Sequence, residues 1–327
     1  MMAYIQIEWW HYATFLVAVS FVLALDLGVF HRQAREVCFK EALGWSSLWF
    51  SLAMVFAGTL VPAMGRDAAQ KFVLGYILEL SLSMDNVFVI ALIFGYFRVP
   101  LAYQHRVLFW GVLGAFVMRG VMIGLGAALV ARFEWVLYFF GAFLVFTGVK
   151  MAFSKDEGVE PDKNPFVRLA RSFCKVTSDF HGQRFMTIQS GRRVLTPLAL
   201  VLVMVETTDL VFAVDSIPAI FGVTREPFIV FTSNVFAILG LRSLYFVLAG
   251  AIAYFRYLKV GLSFVLVFIG LKMLMDPHIA TGHSRVGVEP RWFQIEIPIG
   301  VSMLVVGGIL ALAVVFSLLS ARGGGRE

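Results

Sequence analysis

From Phe72 to Phe97 the chain is apolar for long enough to cross a bilayer, yet this run contains Glu79, Asp85 and Asn86. About 20 apolar residues suffice for a helical span. An ionised carboxylate within one costs about 2.5–3.5 kcal/mol on insertion scales, so such groups usually persist because something binds them. The pattern recurs at Asp209 and Asp215, again six residues apart and followed by a small polar residue, Ser216. Two buried acidic motifs therefore constrain both the fold and the chemistry of this chain.

The hydrophobic runs number about nine, near 11–30, 45–64, 72–97, 106–130, 135–153, 196–222, 228–254, 257–275 and 297–320. This predicts an all-α, polytopic transmembrane bundle in a single domain. Charged residues make up only 15% of the chain, against about 25% in a soluble domain. The first run has no Lys or Arg before it and no small-residue cleavage pattern after it, and it reads as a retained span. Lys and Arg in the connections sort to one side. Arg32, Arg35, Lys40, Arg98, Arg106, those of the loop 154–195, Arg256, Lys259, Arg322 and Arg326 fall together. Only Arg66, Lys71, Arg132, Arg225, Arg285 and Arg291 fall opposite. The positive-inside rule places the N-terminus outside and the C-terminus and long loop in the cytoplasm. This asymmetry explains the net charge of +6 without a nucleic-acid partner, and no basic, aromatic-laced stripe argues for one. The loop 154–195 reads as a cytoplasmic linker suited to anionic lipid headgroups.

Similarity extends beyond the acids. Ile93-Phe94-Gly95, with Arg98 and Pro100, is echoed by Ile220-Phe221-Gly222, with Arg225 and Pro227. The stretch 144–151, LVFTGVKM, is echoed by 266–273, LVFIGLKM, and Arg119 matches Arg242. Repeat 1 covers 72–153 and repeat 2 covers 196–275. Each holds three spans, and an odd number forces the copies into opposite orientations. Transporters with inverted repeats place their substrate site near the midplane where the repeats meet, which predicts that Glu79/Asp85 face Asp209/Asp215.

On an ideal helix Glu79, Ser83 and Asn86 share a face, as do Asp209 and Ser216. Asp85 and Asp215 point roughly 120° away from their partners, so local unwinding is expected if all four acids aim at one point. Pro218 would assist by leaving the carbonyl of Val214 without a donor. Glu206 and Asp26 are further mid-span carboxylates. Six acids against two central arginines leave a negative excess that calls for protons or a cation. Carboxylate, amide, hydroxyl and carbonyl oxygens suit Mg²⁺, Ca²⁺ or Mn²⁺. Met84 and Met204 read as packing, Lys150 and Lys272 as snorkelling, and the six histidines as loop or interface residues. Gly124 and Gly126 read as a small-residue packing surface. Cys38 and Cys174 suggest neither a disulfide framework nor a zinc site.

The motifs ELSLSMDNVFV (79–89), FAVDSIPAI (212–220) and TSNVFAILGLR (232–242) closely resemble the TerC family, particularly its Alx-type members, from about Ala24 to Met275. The resemblance implies a bacterial inner-membrane protein of the LysE-type transporter superfamily that exports Mn²⁺. It also implies that Asp26, Glu79, Asp85, Asn86, Asp209, Asp215 and Ser216 belong to the site. Leu80 departs from relatives with Lys there and removes an internal counter-charge. The reading is therefore a non-enzymatic Mn²⁺ transporter without a resident cofactor, exchanging protons for cation by alternating access. Its rivals are a membrane scaffold that supplies metal to exported proteins, and a reductase linked to tellurite resistance.

Overall fold

The computed structural model describes residues 7–25, 39–153, 167–168, 172, 176–177, 179–189, 192–249, 257–276, 295 and 297–323. Among these residues nine helices form the molecule: α1 Trp9–Leu25, α2 Phe39–Met64, α3 Arg66–Tyr96, α4 Leu101–Arg132, α5 Val136–Phe153, α6 Pro197–Phe221, α7 Pro227–Ala249, α8 Leu258–Met275 and α9 Ile299–Gly323. Eight of them are long and apolar enough to cross a membrane, and α1 is a shorter apolar helix. The chain is thus a polytopic helical bundle.

Breaks between helices follow local chemistry. Gly65, at φ 97°, ends α2 and opens α3, a left-handed conformation that glycine adopts without a Cβ penalty. Its N–H donates to the carbonyls of Leu60 and Val61. The α3–α4 turn closes with Val99 N–H on Phe94 O at 2.9 Å, and Pro100 caps α4. Pro197 stands in the first turn of α6, where its missing donor costs nothing.

The two predicted halves, α3–α5 and α6–α8, interlock reciprocally. The most extensive interhelical contact joins α5 to α8. The first helix of each half packs on the second helix of the other, α3 on α7 and α4 on α6. A Cβ on Gly141 would stand 3.0 Å from Gly270 O, and one on Gly148 2.8 Å from Ser263 O. Gly148 and Gly270 match at the 122-residue offset of the repeat, as do Gly141 and Ser263. Exchanging the halves therefore turns one close pair into the other, as a two-fold relation requires. Helices α1 and α2 cover α7 through Phe15, Phe56 and Phe231, and α9 packs on α8 and α3.

Two expectations need correction. Helices α3 and α6 run unbroken through their acidic motifs. The loop 154–195 is also more than a linker, since Met186–Gln189 (β1) pairs antiparallel with Arg192–Leu195 (β2), Met186 opposite Leu195. Only two residues, Ser190 and Gly191, separate these strands, a spacing that favours a hairpin.

Candidate functional site

The centre of the bundle is built on Arg119. Its neighbours one turn away on α4, Ala115 and Ile123, are buried core residues, so the guanidinium is carried inward and is only 2% exposed. Nη2 donates to Asp209 Oδ1 at 2.7 Å and Nε to Asp209 Oδ2 at 3.2 Å, while Nη1 donates to Glu79 Oε2 at 2.7 Å. The planar fork thereby ties α3, α4 and α6 together, as guanidinium geometry permits and an ammonium does not. Asn86 Nδ2 adds a longer bond to Asp209 Oδ1 at 3.4 Å.

This cluster leaves several acceptors idle. Glu79 Oε1, Ser83 Oγ, Asn86 Oδ1 and Ser216 Oγ are all buried without a hydrogen-bond partner. Ser216 lies beside Glu79, but its hydroxyl falls outside hydrogen-bond geometry. Buried oxygens are seldom left unpaired, because each forfeits about 1–3 kcal/mol of hydration without replacement. Here they come from one face of α3 and from the facing α6. Two carboxylates, those of Glu79 and Asp209, thus share the single guanidinium of Arg119.

The remaining predicted residues fall around this centre. Asp85 and Asp215 are half-buried, and Asp215 is within electrostatic reach of Lys150. Glu206, also half-buried, places its carboxylate where a side chain on Gly114 would stand, so this glycine makes room for the acid. Asp26 lies outside the described residues. The structure thus joins Glu79 and Asp209 through Arg119, with Asn86 bonded to Asp209 and Ser216 alongside. Among the described residues no three His, Cys, Asp or Glu side chains gather as a ready-made metal cluster. Met204 is core, as read from the sequence. Gly126 packs near Phe221, whereas Gly124 meets no neighbour, which halves the predicted glycine surface.

Sequence reasoning missed a second polar group. Arg242 Nη2 lies 2.8 Å from His105 Nε2, so the ring nitrogen accepts from the guanidinium. Next to it Tyr245 donates to Gln104 Oε1 at 2.9 Å, and Gln104 Nε2 donates to Val99 O. The available signal was the polar pair Gln104-His105 just inside a helix opened by Pro100. Asn234 was also missed. It is fully buried with neither side-chain atom partnered, although Thr232 and Ser233 beside it bond back to their own helix.

A polytopic helical membrane protein with a charged, partly unsatisfied centre between two matched three-helix halves is the class this geometry defines. The integral membrane protein TerC family matches residues 64–323, and the chain belongs to that family. It is 49% identical over 311 residues to an uncharacterised membrane protein of Myxococcus xanthus, covering 95% of this chain and 92% of that one. It is 45% identical over 312 residues to an Escherichia coli K12 protein provisionally named the membrane-bound redox modulator Alx, covering 93% and 92%. The Photorhabdus laumondii protein of the same name is 44% identical over 316 residues, covering 94% of each chain. No solved structure matches.

Proposed function

We propose that this protein transports a divalent metal cation, with Mn²⁺ as the exported cargo and protons moving in exchange. The observation that carries this reading is the set of four idle buried oxygens, Glu79 Oε1, Ser83 Oγ, Asn86 Oδ1 and Ser216 Oγ, beside two carboxylates that share one guanidinium. All are hard acceptors, the donor type that Mn²⁺, Mg²⁺ and Ca²⁺ take. The preference for Mn²⁺ rests on the family resemblance. Glu79 and Asp209 also hold Arg119 in place, while Asp85, Asp215 and Glu206 carry charge along the path to and from the centre.

Transport also accounts for the architecture. Two halves related by a two-fold give a protein two equivalent ways to face the cation site, which is what alternating access needs. Protons supply the returning charge, because clustered carboxylates in a low-dielectric interior cannot all remain ionised once the metal has left. In this reading the bundle sits in a bacterial inner membrane. The end carrying Arg98, Arg106 and the loop 154–195 faces the cytoplasm, and the N-terminus lies outside. The chain needs no resident cofactor and catalyses no covalent reaction.

Equilibrium binding of Mn²⁺ to the purified protein tests the site itself, read from the loss of the free-ion paramagnetic resonance signal with Mg²⁺ and Ca²⁺ as competitors. Saturable binding that weakens about tenfold or more in Glu79→Gln is expected. Binding unchanged by both Glu79→Gln and Ser216→Ala would remove this centre as the cation site.

A further inference from the structure

Helix α7 turns one stripe of residues toward the centre of the bundle. Val230, Asn234, Ile238, Leu241 and Tyr245 follow one another at helical spacing and are all buried. Val230 shares a buried cluster with Leu78 of α3 and Ile123 of α4. Ile238, Leu241 and Tyr245 share the next cluster with Val87 of α3 and Ala115 of α4. Leu78 and Val87 bracket Glu79 and Ser83, while Ile123 and Ala115 stand one turn to either side of Arg119. Asn234, midway between Val230 and Ile238, is thereby held at the level of the charged centre. The adjoining face of α7 looks elsewhere, with Val235 and Leu239 packed among Phe15 of α1 and Trp49 of α2.

Close approaches between the helices give the same level. A Cβ on Gly75, one turn before Glu79, would stand 3.1 Å from Ser233 Oγ, and one on Gly120, next to Arg119, would stand 3.6 Å from the Phe231 ring. Further along α7, Arg242 Nη2 lies 2.8 Å from His105 Nε2, and the ring centroids of Tyr245 and Phe94 are 5.5 Å apart. Arg242, the match of Arg119, therefore meets α4 about 20 Å away from Arg119. The polar group that α7 brings to the level of the centre is instead Asn234. It is fully buried, and neither its Oδ1 nor its Nδ2 has a hydrogen-bond partner. A buried amide unpaired at both ends is costly in an apolar interior, which points to a partner that the folded chain does not itself supply.

We propose that Asn234 is a ligand of the cation site, binding the metal through Oδ1 from α7. An amide oxygen is a hard, neutral acceptor of the kind that Mn²⁺, Mg²⁺ and Ca²⁺ take beside carboxylates. It joins Glu79 Oε1, Ser83 Oγ, Asn86 Oδ1 and Ser216 Oγ without adding a charge that must be neutralised when the cation leaves. It also brings a third ligand-bearing helix to the site. The cation is then held by α3 of one half and by α6 and α7 of the other, and cross-links the two halves while it is bound. This inference rests on the transport reading above and adds to it the ligand by which α7 takes part.

The test measures Mn²⁺ binding in the resonance assay, and thermal unfolding without metal, for full-length Asn234→Leu and Asn234→Ala. Leucine keeps the branched outline of the side chain and alanine leaves space, so the pair covers a tight and a roomy surrounding. Because the amide makes no hydrogen bond in this fold, at least one variant should unfold no earlier than the unsubstituted protein. In that variant Mn²⁺ binding should weaken about fivefold or more. A purely structural amide would give the reverse, earlier unfolding with binding kept. Unchanged binding in the stable variant, or earlier unfolding in both, would overturn the proposal. The unsubstituted protein and Glu79→Gln, measured in parallel, separate the two failures. Binding weakened by Glu79→Gln but kept in the Asn234 variants overturns the α7 ligand alone, whereas no saturable binding by the unsubstituted protein overturns the cation site and this ligand with it.

Discussion

At the scale of single residues, Arg119 should be the least replaceable side chain in the molecule. Arg119→Met leaves Glu79 and Asp209 as buried carboxylates without their cation, and breaking such a pair costs about 3–5 kcal/mol. Thermal unfolding in detergent should show a large loss, and Arg119→Lys should recover little of it because one ammonium cannot reproduce three bonds to two acids. Ser83 and Ser216 behave oppositely. Their hydroxyls make no hydrogen bond in this fold, so Ser83→Ala and Ser216→Ala should change stability by less than about 1 kcal/mol while weakening Mn²⁺ binding in the resonance assay. Helical periodicity made the shared face of Glu79, Ser83 and Asn86 legible in the sequence. It did not reveal that Arg119 would take both Glu79 and Asp209, nor that Arg242 would meet His105. These pairings join different helices, and spacing along one helix carries no information about them.

At the scale of helices, the α5–α8 contact is close enough that added atoms collide with main chain. Gly148→Ala should cost about 1–3 kcal/mol, because its Cβ would meet Ser263 O, which cannot rotate away. Gly124→Ala, with open space around it, should be neutral or stabilise its helix by up to about 1 kcal/mol. Parallel unfolding curves of the two variants check both signs. The number and order of the helices were readable, because spans announce themselves by hydropathy, but α2, α3 and α4 begin at Phe39, Arg66 and Leu101, ahead of the apolar runs that marked them. Whether the acidic motifs would break their helices was not readable. Pro218 removes one donor, but α6 continues through it to Phe221, since the neighbouring turns and surrounding helices hold the backbone in place. The hairpin at 186–195 was overlooked because its short strands carry only a brief alternation amid charged residues.

At the scale of the whole molecule, the repeat was visible as matched motifs, and the structure adds how the halves grip one another. The central claim is that the acids between these halves carry a divalent cation across the membrane. Mn²⁺ movement into liposomes holding the purified protein, under imposed pH gradients and with Mg²⁺ and Ca²⁺ as competitors, tests it most directly. The account predicts flux that responds to the gradient and is lost in Glu79→Gln and in Asp215→Asn. Folded, Mn²⁺-binding protein that moves no ion, or both variants transporting undiminished, would contradict it.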